Sequence, residues 1–181
     1  MKKYISMYGV LLGIASGIVV LDQWTKALVR ENIPFATRWL PDSLDWLMPY
    51  ARLVHWQNTG AAFGMFQDGS VVFTILAFIV IAAIIFYYPK IEFEGWLFRV
   101  ALSLQLAGAS GNLVDRLTQD GVVTDFISIG TFPVFNVADS AITIGTAVLI
   151  LGVWLSERAE KRARAESDSH VSEEQIALSK E

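Results

Sequence analysis

The chain contains no cysteine among its 181 residues. This absence excludes disulfides, thiolate metal ligands, a cysteine nucleophile and lipidation of the chain on a cysteine of its own. Histidine is almost as scarce, with only His55 and His170. A Ser–His–Asp triad and a zinc site therefore lack the residues that they need. Many of the acids behind the net charge of −4 lie near the C-terminus, and nothing in the composition supports binding of nucleic acid.

Apolar residues, in contrast, are abundant. They make up 54% of the chain, and the mean hydropathy is +0.46. They fall into four blocks of about 18–25 residues, which is the length that crosses a hydrocarbon core of about 30 Å. The blocks are residues 4–28, 70–88, 95–114 and 137–155. The sequence therefore predicts an all-α membrane bundle of four transmembrane helices.

The basic residues predict the orientation of this bundle. Four spans put both termini on one side of the membrane, and most basic residues flank the spans on that side. They are Lys2, Lys3, Lys90, Arg99, Arg158, Lys161, Arg162 and Arg164. The positive-inside rule then places both termini in the cytoplasm. Residues 157–181 alternate in charge, so we expect a short helical extension that fades into a disordered cytoplasmic tail.

The connection before the second span, residues 31–69, is rich in tryptophan and contains turn residues. Its pattern predicts short strands at 45–48 and 52–57. Tryptophan rings favour the membrane–water interface. We therefore expect a small β-insertion that lies on the extracytoplasmic surface and covers a site.

Two aspartates, Asp125 and Asp139, stand in apolar stretches. A carboxylate at membrane depth costs several kcal/mol unless it is paired, neutralised or facing water, so both suggest a function. If they converge, they share one proton. The ionised member can then activate water while the protonated member assists the carbonyl or the leaving amine, as in aspartic peptide hydrolysis. Two alternatives are an ordinary first-turn acid at Asp139 and a cation held together with Asp115, which lacks a recognisable spacing.

Other polar residues lie near the ends of the spans. Asp22 and Lys26 are four residues apart and can pair on one helix face, either as a helix-end ion pair or in support of a site. Asn112, Asp115 and Arg116 share a face at the end of the third span. An Asp–Arg pair there can hold a polar substrate backbone, or it can be a helix-terminal salt bridge.

Two small-residue runs and one asparagine complete the set of candidates. The run 58–64 begins with Asn58 and contains two glycines, which suits either a turn or close approach of another backbone. The run 108–111 lets helices pack closely. Asn136 stands where it can cap the fourth span.

Five of these segments, in order, carry a resemblance to a known family. They are residues 22–26, 58–64, 108–116, 123–127 and 135–140. Over residues 22–145 the chain closely resembles bacterial lipoprotein signal peptidase, also called signal peptidase II. The resemblance implies that Asp125 and Asp139 are the catalytic residues. It further implies substrate-binding or supporting roles for Asp22, Lys26, Asn58, Gly64, Asn112, Asp115, Arg116 and Asn136.

The resemblance also implies an organisation. Residues 1–156 would form the membrane peptidase domain, with 31–69 as an extracytoplasmic β-cradle and 157–181 as the tail. Residues 117–135 would form a periplasmic lid segment, with a mobile helix or loop at 117–125.

The implied substrate is a prolipoprotein that carries diacylglyceryl on a cysteine, and cleavage would occur just before that cysteine. The enzyme would be an inner-membrane monomer in contact with lipid. It would need no cofactor or metal, and globomycin-like cyclic peptides would inhibit it. A proton-coupled transporter fits less well, because the centres of the second and fourth spans are almost wholly apolar. A membrane scaffold would not need two converging aspartates.

Overall fold

The computed structural model describes residues 2–60, 69–90 and 95–178. Four long helices form the bulk of this part of the chain: α1 Lys2–Asn32, α2 Ser70–Tyr87, α3 Trp96–Thr118 and α4 Val137–Leu178. Each contains a segment long and apolar enough to cross a membrane, namely Tyr8–Asn32, Ser70–Tyr87, Trp96–Thr118 and Val137–Arg164. The predicted four-helix membrane bundle is confirmed, with the first span ending four residues later than the sequence suggested.

The central helix of the bundle is α3, which packs against α1, α2 and α4. Its contact with α4 is close because glycines stand at the crossing. A Cβ on Gly108 would lie 2.4 Å from the Ala138 carbonyl oxygen, and a Cβ on Gly145 would lie 2.9 Å from Leu104 Cβ. The predicted close packing through the run 108–111 is therefore confirmed.

The apolar residues of α2 face outward as well as inward. Only Ala77 and Ile84 of this helix are buried, whereas Val71, Val72 and Ile79 are all more than half exposed. A helix that is hydrophobic on every side and yet exposed on the surface of the single chain matches a membrane span, whose outer surface contacts lipid.

A three-stranded antiparallel sheet lies outside the spans. Its strands are β1 Arg38–Trp39, β2 Ala51–Asn58 and β3 Val123–Ile129, in that order across the sheet. The predicted strand at 52–57 is confirmed within β2. The predicted strand at 45–48 is wrong, because Asp42–Leu47 is a 3-10 helix. Local bonds, such as the one from the Leu44 amide to the Pro41 oxygen at 2.8 Å, replace the strand pairing that the sequence suggested.

The predicted lid segment, residues 117–135, consists of the end of α3, a tight turn, strand β3 and a loop. Asp120 and Gly121 make the turn, with φ of 50° and 85°. No separate helix lies between residues 119 and 136. Movement of this segment as a lid stays a prediction.

The helix α4 is longer than expected. Its backbone stays helical through Leu178, where the sequence suggested a short extension before disorder. The added residues are rich in Ala, Glu, Lys and Arg, which propagate a helix well. Arg158 lies over the Trp154 ring, with its guanidinium carbon 3.7 Å from the centroid.

Candidate active site

The two aspartates singled out by the sequence lie beside one cavity at the sheet end of the bundle. Asp125 is on β3 and only 1% exposed, and Asp139 is on the first turn of α4. Both line a cavity of about 720 Å³. The loop after β3 folds back so that the Phe135 amide donates to the Ile127 oxygen at 3.1 Å. This return brings the start of α4 next to β3 and so brings the two carboxyls together.

Asn136 contacts both carboxyls. Its side-chain Nδ2 donates to Asp125 Oδ1 at 2.7 Å, and its backbone N–H donates to Asp139 Oδ2 at 3.1 Å. Its Oδ1 in turn accepts from the Asp139 backbone N–H at 3.0 Å. This reciprocal pattern is a capping box. The predicted cap is confirmed, and the same residue also orients Asp125.

Two further asparagines complete the set of donors. Asn58 Nδ2 donates to Asp125 Oδ2 at 3.0 Å, and Asn112 Nδ2 donates to Asp139 Oδ1 at 2.8 Å. Asn58 reaches Asp125 diagonally across the sheet, because Asp125 pairs with Trp56 two residues earlier on β2. Each of the four carboxyl oxygens thus accepts one amide N–H. All four donors are neutral, so no charged group bonded to the pair prevents it from holding a proton.

Burial, and after it the negative charge of Asp139, raise the pKa of Asp125 from 3.8 to about 7. The hydrogen bonds from Asn58 and Asn136 and the positive charge of Lys26 oppose the rise. Two carboxyls whose environment keeps one of them protonated near neutral pH are the arrangement that acid–base catalysis requires.

A fully buried ion cluster lies behind the pair. Lys26 Nζ is 2.8 Å from Asp22 Oδ2 and 3.4 Å from Asp115 Oδ2, and all three side chains are 0% exposed. Lys26 Nζ also donates to Asn112 Oδ1 at 3.0 Å. The predicted Asp22–Lys26 pair is present as an interior pair that touches the site. Burial of these charges is tolerable because each is paired and hydrogen-bonded.

The predicted pairing of Asp115 with its neighbour Arg116 is wrong. Asp115 instead contacts Lys26, accepts from the Thr124 backbone N–H at 2.8 Å and lies 3.6 Å from Arg30 Nη1. Consecutive helical residues point in directions 100° apart, so α3 turns Asp115 towards α1 and Arg116 elsewhere. With its oxygens engaged in this way, Asp115 does not join the other two acids around a cation. Within the described residues, no group of three or more His, Cys, Asp or Glu side chains could hold a metal ion.

Arg116 lines the cavity together with the two aspartates. Its guanidinium carbon lies 5.5 Å from the centre of the Phe73 ring, and its Nε has no hydrogen-bond partner within the described part of the chain. A guanidinium held over an aromatic face and incompletely bonded can accept a polar ligand.

The cavity has polar and apolar walls. Near the carboxyls it is lined by asparagines and Arg116, and farther along it runs between α2, α3 and α4. That part of the lining is mainly apolar and includes Phe73, Leu76, Ala77, Val80, Ala109, Ile142 and Ile144. The shape and chemistry suit a ligand with a polar end and a long apolar end.

Sequence reasoning assigned no role in the site to Gln23 or Arg30. Gln23 donates to Asp22 and Asp115, and Arg30 donates to Thr124 Oγ1 at 3.0 Å. Arg30 is one helical turn beyond Lys26, so helical spacing alone places it on that face. Gln23 carries no such signal. Gly64, predicted as a supporting residue, lies outside the described residues.

The fold and the site together define a class: a multi-pass membrane protein with a pair of carboxyls, one buried and one half-buried, that face a cavity of mixed polarity. The family model for signal peptidase (SPase) II matches residues 14–155. The chain belongs to that family, as its motifs indicated, and it is a membrane protease.

Curated relatives and solved structures agree with this assignment. The chain is 39% identical to the lipoprotein signal peptidase of Shouchella clausii over 83% of this chain and 96% of that one. It is 40% identical to that of Geobacillus kaustophilus over 82% and 95%. Its fold is similar to a bacterial membrane enzyme solved by the in meso method at 2.3 Å resolution, with a TM-score of 0.74, 29% identity and coverage of 82% and 90%. A second such structure, at 1.9 Å resolution, is similar with a TM-score of 0.70 and 30% identity. The match covers 80% of this chain and 92% of that one.

Proposed function

We propose that this chain is an intramembrane aspartyl endopeptidase that removes the signal peptide from diacylglyceryl-modified prolipoproteins. It cleaves the peptide bond just before the lipidated cysteine. The observation that carries the proposal is the arrangement of Asp125 and Asp139, whose four carboxyl oxygens are each held by one neutral amide N–H beside the cavity.

In the proposed reaction, Asp125 holds the shared proton and Asp139 is ionised. Asp139 takes a proton from water as the water oxygen attacks the scissile carbonyl carbon. Asp125 donates its proton to the carbonyl oxygen, which gives a neutral tetrahedral intermediate. Asp139 then gives the proton that it took from water to the leaving nitrogen, Asp125 takes one hydroxyl proton of the intermediate, and the C–N bond breaks. The products are a signal peptide with a new carboxyl group and a lipoprotein whose first residue is the lipidated cysteine.

Arg116 and the asparagines position the substrate chain in this proposal. The guanidinium of Arg116 binds substrate carbonyl oxygens near the carboxyls, and the apolar walls between α2, α3 and α4 receive the acyl chains. Insertion of the acyl chains holds the scissile bond at the depth of the aspartates. Part of the entropy cost of positioning the substrate is therefore paid on binding, before the chemical step. Asp22, Lys26 and Asp115 support the pair, and Gly64 keeps the supporting role that the resemblance implies.

The proposed enzyme lies in the bacterial inner membrane with both termini in the cytoplasm and the aspartates near the extracytoplasmic face. Residues 31–69 and 117–135 act there as cradle and lid, and residues 157–181 form a separate cytoplasmic tail. The exposed cations Arg158, Lys161, Arg162 and Arg164 support this orientation. The enzyme acts as a monomer without a cofactor, and globomycin-like cyclic peptides inhibit it by filling the cavity.

Cleavage of a matched pair of substrates tests the proposal. Purified protein in lipid nanodiscs is given one prolipoprotein with and without diacylglyceryl on its cysteine, and mass spectrometry locates the cut. We expect cleavage before the cysteine in the modified substrate alone. Equal cleavage of both forms, or a cut elsewhere, would overturn the assigned specificity.

A further inference from the structure

The two carboxylates behind the site hold equivalent points of the backbone. Asp115 Oδ2 accepts from the Thr124 N–H at 2.8 Å, and Asp22 Oδ1 accepts from the Ala138 N–H at 2.9 Å. Thr124 directly precedes Asp125, and Ala138 directly precedes Asp139. A buried carboxylate thus holds the residue before each member of the pair.

One ammonium joins the two carboxylates. Lys26 Nζ contacts Asp22 at 2.8 Å and Asp115 at 3.4 Å. Its third contact is Asn112 Oδ1 at 3.0 Å, and Asn112 in turn donates to Asp139. The lysine ammonium has three N–H groups, and three acceptors surround it here.

We infer that Lys26 is a positioning residue that fixes the placement of Asp125 relative to Asp139 through a clamp formed with Asp22 and Asp115. The inference rests on the proposed function for its effect on activity. The clamp draws on α1 and α3 to hold β3 and α4, which the chain itself joins only through the loop at 130–136. The bonds from the carboxylates to the backbone N–H groups are charge-assisted, and the Asp22 carboxylate also lies at the N-terminus of α4.

Loss of the ammonium would open the clamp. Asp22 and Asp115 would then be two buried carboxylates that repel each other. Movement of either one would displace the backbone amide bonded to it, that of Ala138 or that of Thr124. A displacement of about 1 Å in a catalytic group can lower a rate by roughly 100-fold. We therefore expect the main effect on kcat, since Lys26 is buried and does not line the cavity.

The charges around the pair give a second signature. They come from α1, α3, β3 and α4 and are Asp22, Lys26, Arg30, Asp115, Arg116, Asp125 and Asp139. Lys26 lowers the pKa of Asp125. Removal of Lys26 therefore moves the alkaline limb of the pH–rate profile, where Asp125 loses its proton, to higher pH. Lys161→Met should leave that limb in place, because this ammonium lies on the exposed part of α4.

Amide exchange tests the clamp without any substrate. In Lys26→Met the amides of Thr124 and Ala138 are expected to exchange roughly 10-fold faster or more. The Phe126 amide, which donates to the Phe135 oxygen at 3.0 Å, should keep its protection. Unchanged protection at both Thr124 and Ala138 would overturn the inference. This holds even if the wild-type protein cleaves no lipoprotein, so the two proposals fail separately.

A neutral double variant covers the case in which Lys26→Met does not fold. Lys26→Met with Asp22→Asn removes one positive and one negative charge and keeps an oxygen that can accept from Ala138. We expect thermal stability near wild type, Thr124 exchange as fast as in the single variant and kcat roughly 10–100-fold lower with KM nearly constant. Full recovery of kcat together with stability would reduce Lys26 to a structural role. Lys161→Met, on the exposed part of α4, is the matched control and should behave as wild type.

Discussion

Asn136 and Asp139 cap each other at the start of α4, and Asn136 also donates to Asp125. The backbone N–H of each residue bonds a side-chain oxygen of the other, at 3.1 and 3.0 Å. The side-chain Nδ2 of Asn136, which the cap does not use, donates to Asp125 Oδ1 at 2.7 Å and to Asn112 Oδ1 at 3.1 Å. A helix cap therefore links the local structure of α4 to the geometry of the site.

Two substitutions separate these roles of Asn136. Asn136→Ala removes the cap and the donor to Asp125, so we expect a loss of about 1 kcal/mol in stability and a large loss of activity. Asn136→Ser keeps a capping oxygen but has no amide to reach Asp125. Its thermal stability should return towards wild type while kcat stays low. Recovery of kcat in the serine variant would contradict the role assigned to the Nδ2 donor.

The raised pKa of Asp125 predicts how stability depends on pH. The folded protein binds this proton up to about pH 7, whereas the unfolded chain releases it near 3.8. Between these values the native state binds more protons, so the contribution of Asp125 to stability falls as pH rises. Asp125→Asn has no proton to lose at this position, so it removes this loss of stability at higher pH. Thermal unfolding in detergent should show the variant gaining stability over wild type as pH rises from 4 to 8, and a constant difference would contradict the assignment.

Gly111 is a position where one methyl group should disturb the site. A Cβ there would lie 2.6 Å from Asp22 Oδ2, the oxygen that bonds Lys26. Gly111→Ala should therefore displace Asp22 and lower kcat at least 10-fold, because a small misplacement of catalytic groups is costly. Gly13→Ala is the control, since nothing lies within 4 Å of its Cβ position. Equal activity in the two variants would contradict this expectation, because it would mean that α1 and α3 can move apart to accommodate the methyl group without displacing Asp22.

Arg116 should affect substrate binding more than chemistry. Its guanidinium borders the cavity beside the pair, and hydrogen bonds to a charged group contribute about 1.5–3 kcal/mol. Arg116→Met keeps the apolar contact with Phe73 and removes the donors, so KM should rise roughly 10-fold or more with a smaller change in kcat. Steady-state kinetics on the lipidated substrate distinguishes this from a catalytic role, in which kcat would fall at constant KM.

The sequence predicts the features that follow from local spacing. Apolar block length predicts the four spans, the i, i+4 spacing predicts the Asp22–Lys26 pair, and the position of Asn136 before α4 predicts its cap. Each of these depends on residues close together in the chain. The family resemblance adds the residues that should meet around the two aspartates.

Contacts between distant elements could not be predicted in this way. Gln23 and Asp115 are 92 residues apart, and Arg30 and Thr124 are 94 apart, so only the packing of α1 against α3 and β3 brings them together. The same packing pairs Asp115 with Lys26 on α1, and not with its chain neighbour Arg116. The residues at 45–48 form part of a 3-10 turn because local i→i+3 bonds compete with strand pairing, which the apolar pattern alone does not reveal.

Cleavage of a diacylglyceryl-modified prolipoprotein by wild type, Asp125→Asn and Asp139→Asn tests the central claim most directly. The three proteins are assayed side by side in lipid with a metal chelator present, after circular dichroism shows that each is folded. Wild type should cleave before the cysteine, and each variant should lose at least roughly 1,000-fold in kcat, because neither can share a proton across the pair. Substantial turnover by either folded variant would contradict the aspartate pair as the catalytic group.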